Sequence, residues 1–305
     1  MCTAMKKAQI KYSLNQAESA YFVYRWISEN IAYDCYSLFH GGIDYSEEGT
    51  YNKGKGVCEG YSRIFNTMCE ALWLETVKIS GYSIGFVLGK IPTNTDHIWN
   101  AVKIDSVYYL VDSTLGTGSY DGDKFKFKEF YFCTNPEAFA NSHFPVDDKW
   151  QLLSNVLTLK EFVESTLIYD GFYEIGFETL SPNLSILNVE EKSKITLTYD
   201  ESITNINYLQ GNTYEEKYNT CITSKKNGQF EVSFVTNQVG NYQLIISGGL
   251  YNINLFRLVE FQKNSTKESK NSSFLPNNIL FWYGFWIWNN WAFVYSFNNR
   301  KFLHF

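Results

Sequence analysis

No Cys-x-x-Cys pair occurs among the six cysteines, Cys2, Cys35, Cys58, Cys69, Cys133 and Cys221, which argues against a cysteine-rich zinc site. Positive charge is also short. The chain has 26 Lys and Arg against 32 Asp and Glu, so the basic footprint of a nucleic-acid binder is missing. Residues 1–9 carry Lys6 and Lys7 but no apolar stretch behind them, and no secretory leader is read there. The expected compartment is therefore the cytoplasm, where thiols stay reduced and the N-x-S/T matches at Asn183, Asn264 and Asn271 carry no meaning. An even cysteine count is the one argument for disulfides, and it is the weaker reading. No internal repeat of fixed period is present.

What the chain does have is apolar pattern. With 305 residues, about two domains are expected. From Asn15 to Tyr33, Ala20, Val23, Trp26, Ile27 and Ile31 recur at three- and four-residue steps and predict an amphipathic helix. A loop rich in Gly, Ser and acids follows from His40 to Gly56. A second helix is predicted after Cys58, with Tyr61, Ile64, Phe65, Met68, Cys69 and Leu72 on one face. Val77 to Leu88 alternates as strands broken at Gly81 and Gly85. Ile98–Ile104 and Val107–Val111 read as strands about a two-residue turn, Asp105-Ser106.

A short helix, Leu157–Ser165, leads out of this part. From Phe172 to Val259 the runs 194–198, 231–235 and 242–246 alternate apolar with polar residues. Turn clusters such as Lys226-Asn227-Gly228 separate them, a cadence that predicts a small antiparallel β-sandwich. The boundaries expected are 15–165 for the first domain, 170–262 for an immunoglobulin-like β-sandwich, and 263–305 for a linker and aromatic-rich tail. Within that tail, residues 279–297 carry no charge and include Trp282, Trp286, Trp288 and Trp291. Nineteen such residues approach a membrane span, yet Asn289-Asn290 sit mid-run and tryptophan prefers the interface. A strand pair on the β-domain is the preferred reading; membrane contact and an unstructured end are the others.

Cys58 carries the chemistry if it stands at the start of its helix. Unpaired backbone N–H groups and the positive end of the helix dipole favour the thiolate, which is the nucleophile. The same N–H groups can hold an oxyanion. Gly56 and Gly60 flank the thiol and are expected to leave room for a substrate backbone. If Asp105-Ser106 is the turn, paired positions sum to 211, Trp99 faces Asp112, and His97 and Asp112 lie diagonally on one sheet face. A carboxylate bonded to one imidazole nitrogen fixes the tautomer and leaves the other for the thiol. On residue chemistry alone two readings stand level: a steered histidine, or a surface His beside a turn-side Asp. His143, with Pro145 close behind, is the weaker rival to His97; His40 and His304 read as loop and tail residues. No histidine pair has helical or hairpin ligand spacing, so neither metal nor cofactor is expected.

The blocks Gly56-Val-Cys-Glu-Gly-Tyr61, Asp96-His-Ile-Trp-Asn-Ala-Val102 and Tyr109-Leu-Val-Asp-Ser-Thr114 together resemble the transglutaminase-like superfamily. The pattern is most similar to the kyphoscoliosis-peptidase-like branch, supported upstream by residues 24–34 and downstream by His143-Phe-Pro-Val-Asp-Asp-Lys-Trp-Gln-Leu-Leu153. The resemblance spans roughly residues 21–153. It implies an α+β fold: a papain/transglutaminase-like core, with a thiol-bearing helix packed on an antiparallel sheet, followed by the β-sandwich. It also implies a catalytic triad of Cys58, His97 and Asp112 working by acyl transfer through a thioester, as cysteine peptidase or transglutaminase, on a protein substrate. Two departures stand out: Ser113 and Leu115 replace the family's proline and tryptophan. Tyr51 and Asn52 are the upstream candidates for an oxyanion donor. The alternative function is a weakly active or inactive protein-interaction scaffold associated with the cytoskeleton.

Overall fold

The computed structural model of the chain describes residues 2–83, 91–121, 124–184, 186–188, 192–199, 209–213, 221–226, 228–235, 240–248 and 253–263. Five helices open it: α1 (Cys2–Tyr12), α2 (Gln16–Asn30), α3 (Cys35–His40), α4 (Glu47–Lys53) and α5 (Cys58–Ala71). Helix α2 starts at a reciprocal cap, Asn15 accepting from the Glu18 N–H while Glu18 accepts from the Asn15 N–H. It stops three residues before the predicted Tyr33. There the extended backbone of Ile31 leads into β1 (Ala32–Tyr33), which pairs in parallel with β2 (Lys55–Gly56). Ladder bonds to the carbonyls of Gly54 and Gly56 outweigh one more helical turn.

The predicted loop from His40 to Gly56 is another correction. It contains α4 and β2. The signals were local: Ser46 caps α4, two glutamates fill its first turn, and Gly54 ends it at φ +61°. Helix α1 had no assignment from sequence, since Met5 is its one buried residue. It packs beside α5, with Met5 in the same core as Ala20, Val23, Ile27, Ile64, Phe65 and Met68.

The antiparallel sheet of this part uses β3 (Thr76–Ser83), β4 (His97–Ile104) and β5 (Val107–Val111). A two-stranded ribbon, β6 (Ser119–Asp121) with β7 (Lys124–Lys126), stands apart, and β8 (Phe132–Thr134) and β9 (His143–Pro145) flank the sheet, giving the order β8-β5-β4-β3-β9. The hairpin register is the one the turn predicts. Ile104 pairs Val107 and Asn100 pairs Val111, each summing to 211. Asp105 and Ser106 both take positive φ, 46° and 71°, as a tight two-residue turn demands. Trp99 is buried with Ile79, Ala101, Leu110 and Phe139 under one sheet face. The expected strands beyond Ser83 fall on residues 84–90, outside the described residues.

Short helices connect the rest: α6 (Ser113–Gly116), α7 (Pro136–Phe139), α8 (Leu159–Val163) and α9 (Asp170–Glu174). The last corrects the start of the β-rich stretch, since Phe172 is helical. Among the described residues beyond it the strands pair antiparallel, as predicted, except Ile186–Asn188, which runs parallel to its neighbour. One sheet joins β10 (Leu167–Ile168) to later strands, and the other begins with β11 (Phe177–Ser181). Then follow β12 (Ile186–Asn188), β13 (Lys192–Tyr199), β14 (Leu209–Thr213), β15 (Cys221–Lys226), β16 (Gln229–Val235), β17 (Gly240–Gly248) and β18 (Ile253–Lys263). Their orders are β10-β18-β17-β14, with β12 also on β18, and β11-β13-β16-β15. Lys226 pairs Gln229 about the predicted turn. The aromatic run 279–297 lies outside the described residues.

Gly81 is the tightest point of the first sheet. A Cβ there would lie 2.2 Å from the Phe144 carbonyl oxygen and 2.4 Å from the Trp99 ring. Gly81→Ala is expected to cost about 1–3 kcal/mol through overpacking. Denaturant unfolding measures it, and an unchanged midpoint would show that β3, β4 and β9 do not close as tightly as described.

Candidate active site

Cys58 is the first residue of α5. Val57 before it offers no side-chain cap, so the first-turn N–H groups have no side-chain acceptor there. The glycines beside the thiol do something other than the sequence suggested. A Cβ at Gly56 would lie 2.6 Å from Thr50 Cγ2, and one at Gly60 would lie 2.3 Å from Thr50 Oγ1. The space is taken by the fully buried Thr50 of α4, not left for a substrate. These glycines let α4 press against the helix start.

The sheet is fastened to the same helix. Asn100 Nδ2 donates to the Ser62 carbonyl at 3.2 Å and to Asn66 Oδ1 at 2.7 Å, and Ser62 Oγ donates to the Trp99 carbonyl at 3.4 Å. Those bonds set how β4 lies on α5, and so where His97, three residues before Asn100, stands relative to Cys58. His97 and Asp112 meet as the register requires, Nε2 to Oδ2 at 2.6 Å. Cys58 stands close enough to act electrostatically on the His97 ring. The structure thus joins His97 to Asp112 and places Cys58 where its charge is felt by His97.

Asp112 is fully buried and completely engaged. Its Oδ1 accepts from the N–H groups of Thr114 at 2.8 Å and Leu115 at 3.0 Å, capping α6. Its backbone N–H donates to the Tyr131 carbonyl. Its Oδ2 accepts from His97 and, at 3.0 Å, from Nε2 of His143. His143 in turn has Nδ1 2.8 Å from Ser142 Oγ and stacks on Phe139 with ring centres 3.8 Å apart.

Burial works against charge on His97. The Asp112 charge and hydrogen bond, with the charge of Cys58, overcome it and raise the imidazole to about 10. Burial pulls the other way on Asp112, but the His97 charge and the hydrogen bonds from His143 and His97 hold the carboxyl well below its usual range. His143 is lowered by burial ahead of its contacts with Asp112, so it stays neutral. Burial pushes Cys35 up to about 11 and Cys133 up to about 12, and raises Cys69 well above a free thiol. These three side chains remain thiols at neutral pH.

Two residues of the site had little signal in the sequence. His143 is 31 residues from its carboxylate and two strands beyond β4; its only signal was the H-F-P-V-D-D-K-W-Q-L-L block. Tyr33 is half-buried and feels the charge of Cys58; burial first, then that charge, raises its phenol. Tyr51, an oxyanion candidate from sequence, is instead stacked on Trp26 at 5.8 Å, and Asn52 is exposed. Ser113 is buried, with its carbonyl accepting from Ser28 of α2.

His97, Asp112 and His143 also present three ligand-type atoms within 4.8 Å of one another, a cluster that sequence spacing did not reveal. Both Nε2 atoms already address the same carboxylate oxygen, so hydrogen bonds alone satisfy the set. His40 lies at the end of α3, stacked on Tyr36, and takes no part. A cleft of about 470 Å³ lined by Arg25, Phe127, Glu129, Phe130, Tyr173 and Glu174 contains none of the site residues.

The chain is similar to known proteins. The family model described as Transglutaminase-like superfamily matches residues 4–113. The Kyphoscoliosis peptidase of Mus musculus is 33% identical over 184 residues, covering 57% of this chain and 28% of that protein. The Homo sapiens protein of the same name is 32% identical over the same shares. Hillarin of Drosophila melanogaster is 25% identical over 181 residues, 52% of this chain and 22% of that one. The chain spans less than a third of the length of these curated relatives. Among the described residues no helix is long and apolar enough to cross a membrane. Residues 4–113, which include the thiol-bearing helix packed on an antiparallel sheet, thus match the transglutaminase-like superfamily.

Proposed function

We propose that this domain is a thiol-dependent acyl-transfer enzyme acting on protein substrates, with Cys58 as nucleophile, His97 as acid and base, and Asp112 as the group that orients His97. One observation carries the reading: a single imidazole, His97, is hydrogen-bonded to a buried carboxylate and feels the charge of the thiol at a helix start. In the first step the sulfur bonds to an amide carbonyl carbon, and uncapped N–H groups of the first turn of α5 receive the developing oxyanion. The C–N bond breaks as the His97 imidazolium protonates the leaving amine. His97 then takes a proton from water or a second amine, which attacks the thioester and frees the sulfur. Water yields hydrolysis; an amine yields a new amide. The protein's setting is proposed as the cytoplasm, and its partner as a protein.

The rival is a scaffold of little or no turnover, of the cytoskeletal kind suggested by resemblance. Labelling of Cys58 by iodoacetamide, followed by peptide mass spectrometry, separates the two. His97→Ala is expected to slow labelling at neutral pH by about 100-fold or more, within the range for a lost acid-base partner. Equal, sluggish labelling in both proteins favours the scaffold. Offering a glutamine-containing protein with a labelled primary amine then divides the enzymatic reading. Label incorporation means transferase, whereas ammonia release or backbone cleavage means hydrolase.

The raised His97 pKa fixes a pH dependence. Folded His97 binds its proton more tightly than the unfolded side chain does near 6.5, so the stability it contributes is fully present below that pH. That stability is lost as pH rises through about 10. Asp112 has the opposite sense: its contribution is present above the unfolded value near 3.9 and is lost only in stronger acid. Thermal unfolding from pH 6 to 11 should therefore show a decline in wild type that His97→Ala lacks. Parallel curves would place the His97 proton elsewhere.

A further inference from the structure

His143 is buried to 2% exposure, carries a titratable ring, and is given no task by the mechanism above. It arrives from β9, at the edge of the sheet, while Asp112 follows β5 three strands away. Neighbouring strands lie about 4.8 Å apart, so a flat sheet would separate the two backbones by roughly 14 Å. They nonetheless meet at 3.0 Å through their side chains. Curling of the sheet closes that distance, and Gly81, between β4 and β9, leaves the contact to Trp99 and Phe144 unobstructed. The imidazole is then gripped on several sides, by Phe139 in a stack, by Trp99 edge-on at 5.0 Å, and by Ser142 at Nδ1.

The partner atoms settle its tautomer. Asp112 Oδ2 is a carboxylate oxygen and can only accept, so His143 Nε2 must carry a hydrogen. Nδ1 of a neutral ring is then free to accept from the Ser142 hydroxyl at 2.8 Å, whose hydrogen the Phe139 carbonyl at 3.3 Å also competes for. Oδ2 consequently receives two N–H donors, one from each histidine, at 2.6 and 3.0 Å. The two imidazoles share one lone-pair region and draw on one charge. A second donor on that oxygen both fixes the carboxylate plane and lowers the negative charge offered to His97.

We infer that His143 is a positioning residue for the acyl-transfer site: neutral, hydrogenated at Nε2, it holds Asp112 and tempers the carboxylate's pull on the His97 proton. This deepens the proposed function and rests on it only for the effect on rate; the hydrogen-bond claim stands apart. The charged and titratable groups acting with His97 are Asp112, Cys58, His143 and the neighbouring Asp96, and of these only Asp112 and His143 share a hydrogen bond that the variants alter.

Nitrogen NMR of the whole chain tests the tautomer directly. His143 is expected as a neutral ring with hydrogen on Nε2; an imidazolium, or hydrogen on Nδ1, overturns the inference. The second arm titrates His97 by NMR in the Cys58→Ser background, where catalysis is irrelevant. Adding His143→Phe, which keeps a ring against Phe139 but has no donor, should raise the His97 pKa by about half a unit or more. His143→Gln, which can return an N–H to Oδ2, should bring it part of the way back. If His143→Phe does not fold, Ser142→Ala, at a half-buried hydroxyl, should shift His97 in the same direction by a smaller amount. An unmoved His97 in the soluble variant sinks the inference while leaving acyl transfer intact. Labelling indifferent to His97→Ala sinks acyl transfer whatever His143 does.

Discussion

A carboxylate with no exposure to water is the constraint from which the rest follows. Asp112 accepts from Thr114, Leu115, His97 and His143, two donors on each oxygen. A buried charge left without such partners would cost several kcal/mol, so each donor must be delivered by a structure that cannot drift. The first pair comes from the turn into α6. The second pair comes from β4 and β9, and that is why the sheet must curl. Packing of Trp99 and Phe139 around the two histidines then supplies the low-dielectric surroundings that make those hydrogen bonds strong.

The division of labour between the two oxygens also explains how local and remote parts of the chain are tied. Oδ1 caps a helix and belongs to the fold, whereas Oδ2 addresses the imidazoles and belongs to the chemistry. One side chain therefore cannot be replaced for one purpose without disturbing the other. An Asp→Asn change would keep an acceptor on one side and set an N–H against donors on the other. The Thr50 contact makes the same link at the thiol end, where Gly56 and Gly60 are small because a threonine from α4 fills their space. Motif glycines that look from sequence like an approach for substrate are here a packing requirement.

Much of this was legible in the sequence, and for physical reasons. The helical stripes of α2 and α5 read correctly because each buries one face of period 3.6, and the β4–β5 strands because a two-residue turn fixes their pairing. Helices α3 and α4 did not, because they are short and bury almost nothing, so capping is their only signal. Helix α1 buries a single methionine. His143 was hidden for a different reason: its partner is reached through the curl of a whole sheet, and no period along the chain encodes a curl. Its neighbour Pro145 suggested a turn, yet lies in an edge strand, where the missing N–H is tolerated.

The parity of one turn decides whether this chain has the site at all. Side chains alternate across a strand, so adding or removing one residue between β4 and β5 would carry His97 and Asp112 to opposite faces. Asp105 and Ser106 hold the two-residue form at positive φ without a glycine, a conformation short polar side chains adopt more readily than branched ones. Beyond Asn100 and Val111 the ladder between these strands ends. His97 and Asp112 therefore sit past the last rung between β4 and β5; β3 still holds His97 through Gly81, so it is Asp112 that can lean across to close the diagonal pair to 2.6 Å. The same release gives the Asp112 N–H to Tyr131 instead of β4. Register places the two groups on one face, and the ending of the ladder lets them touch.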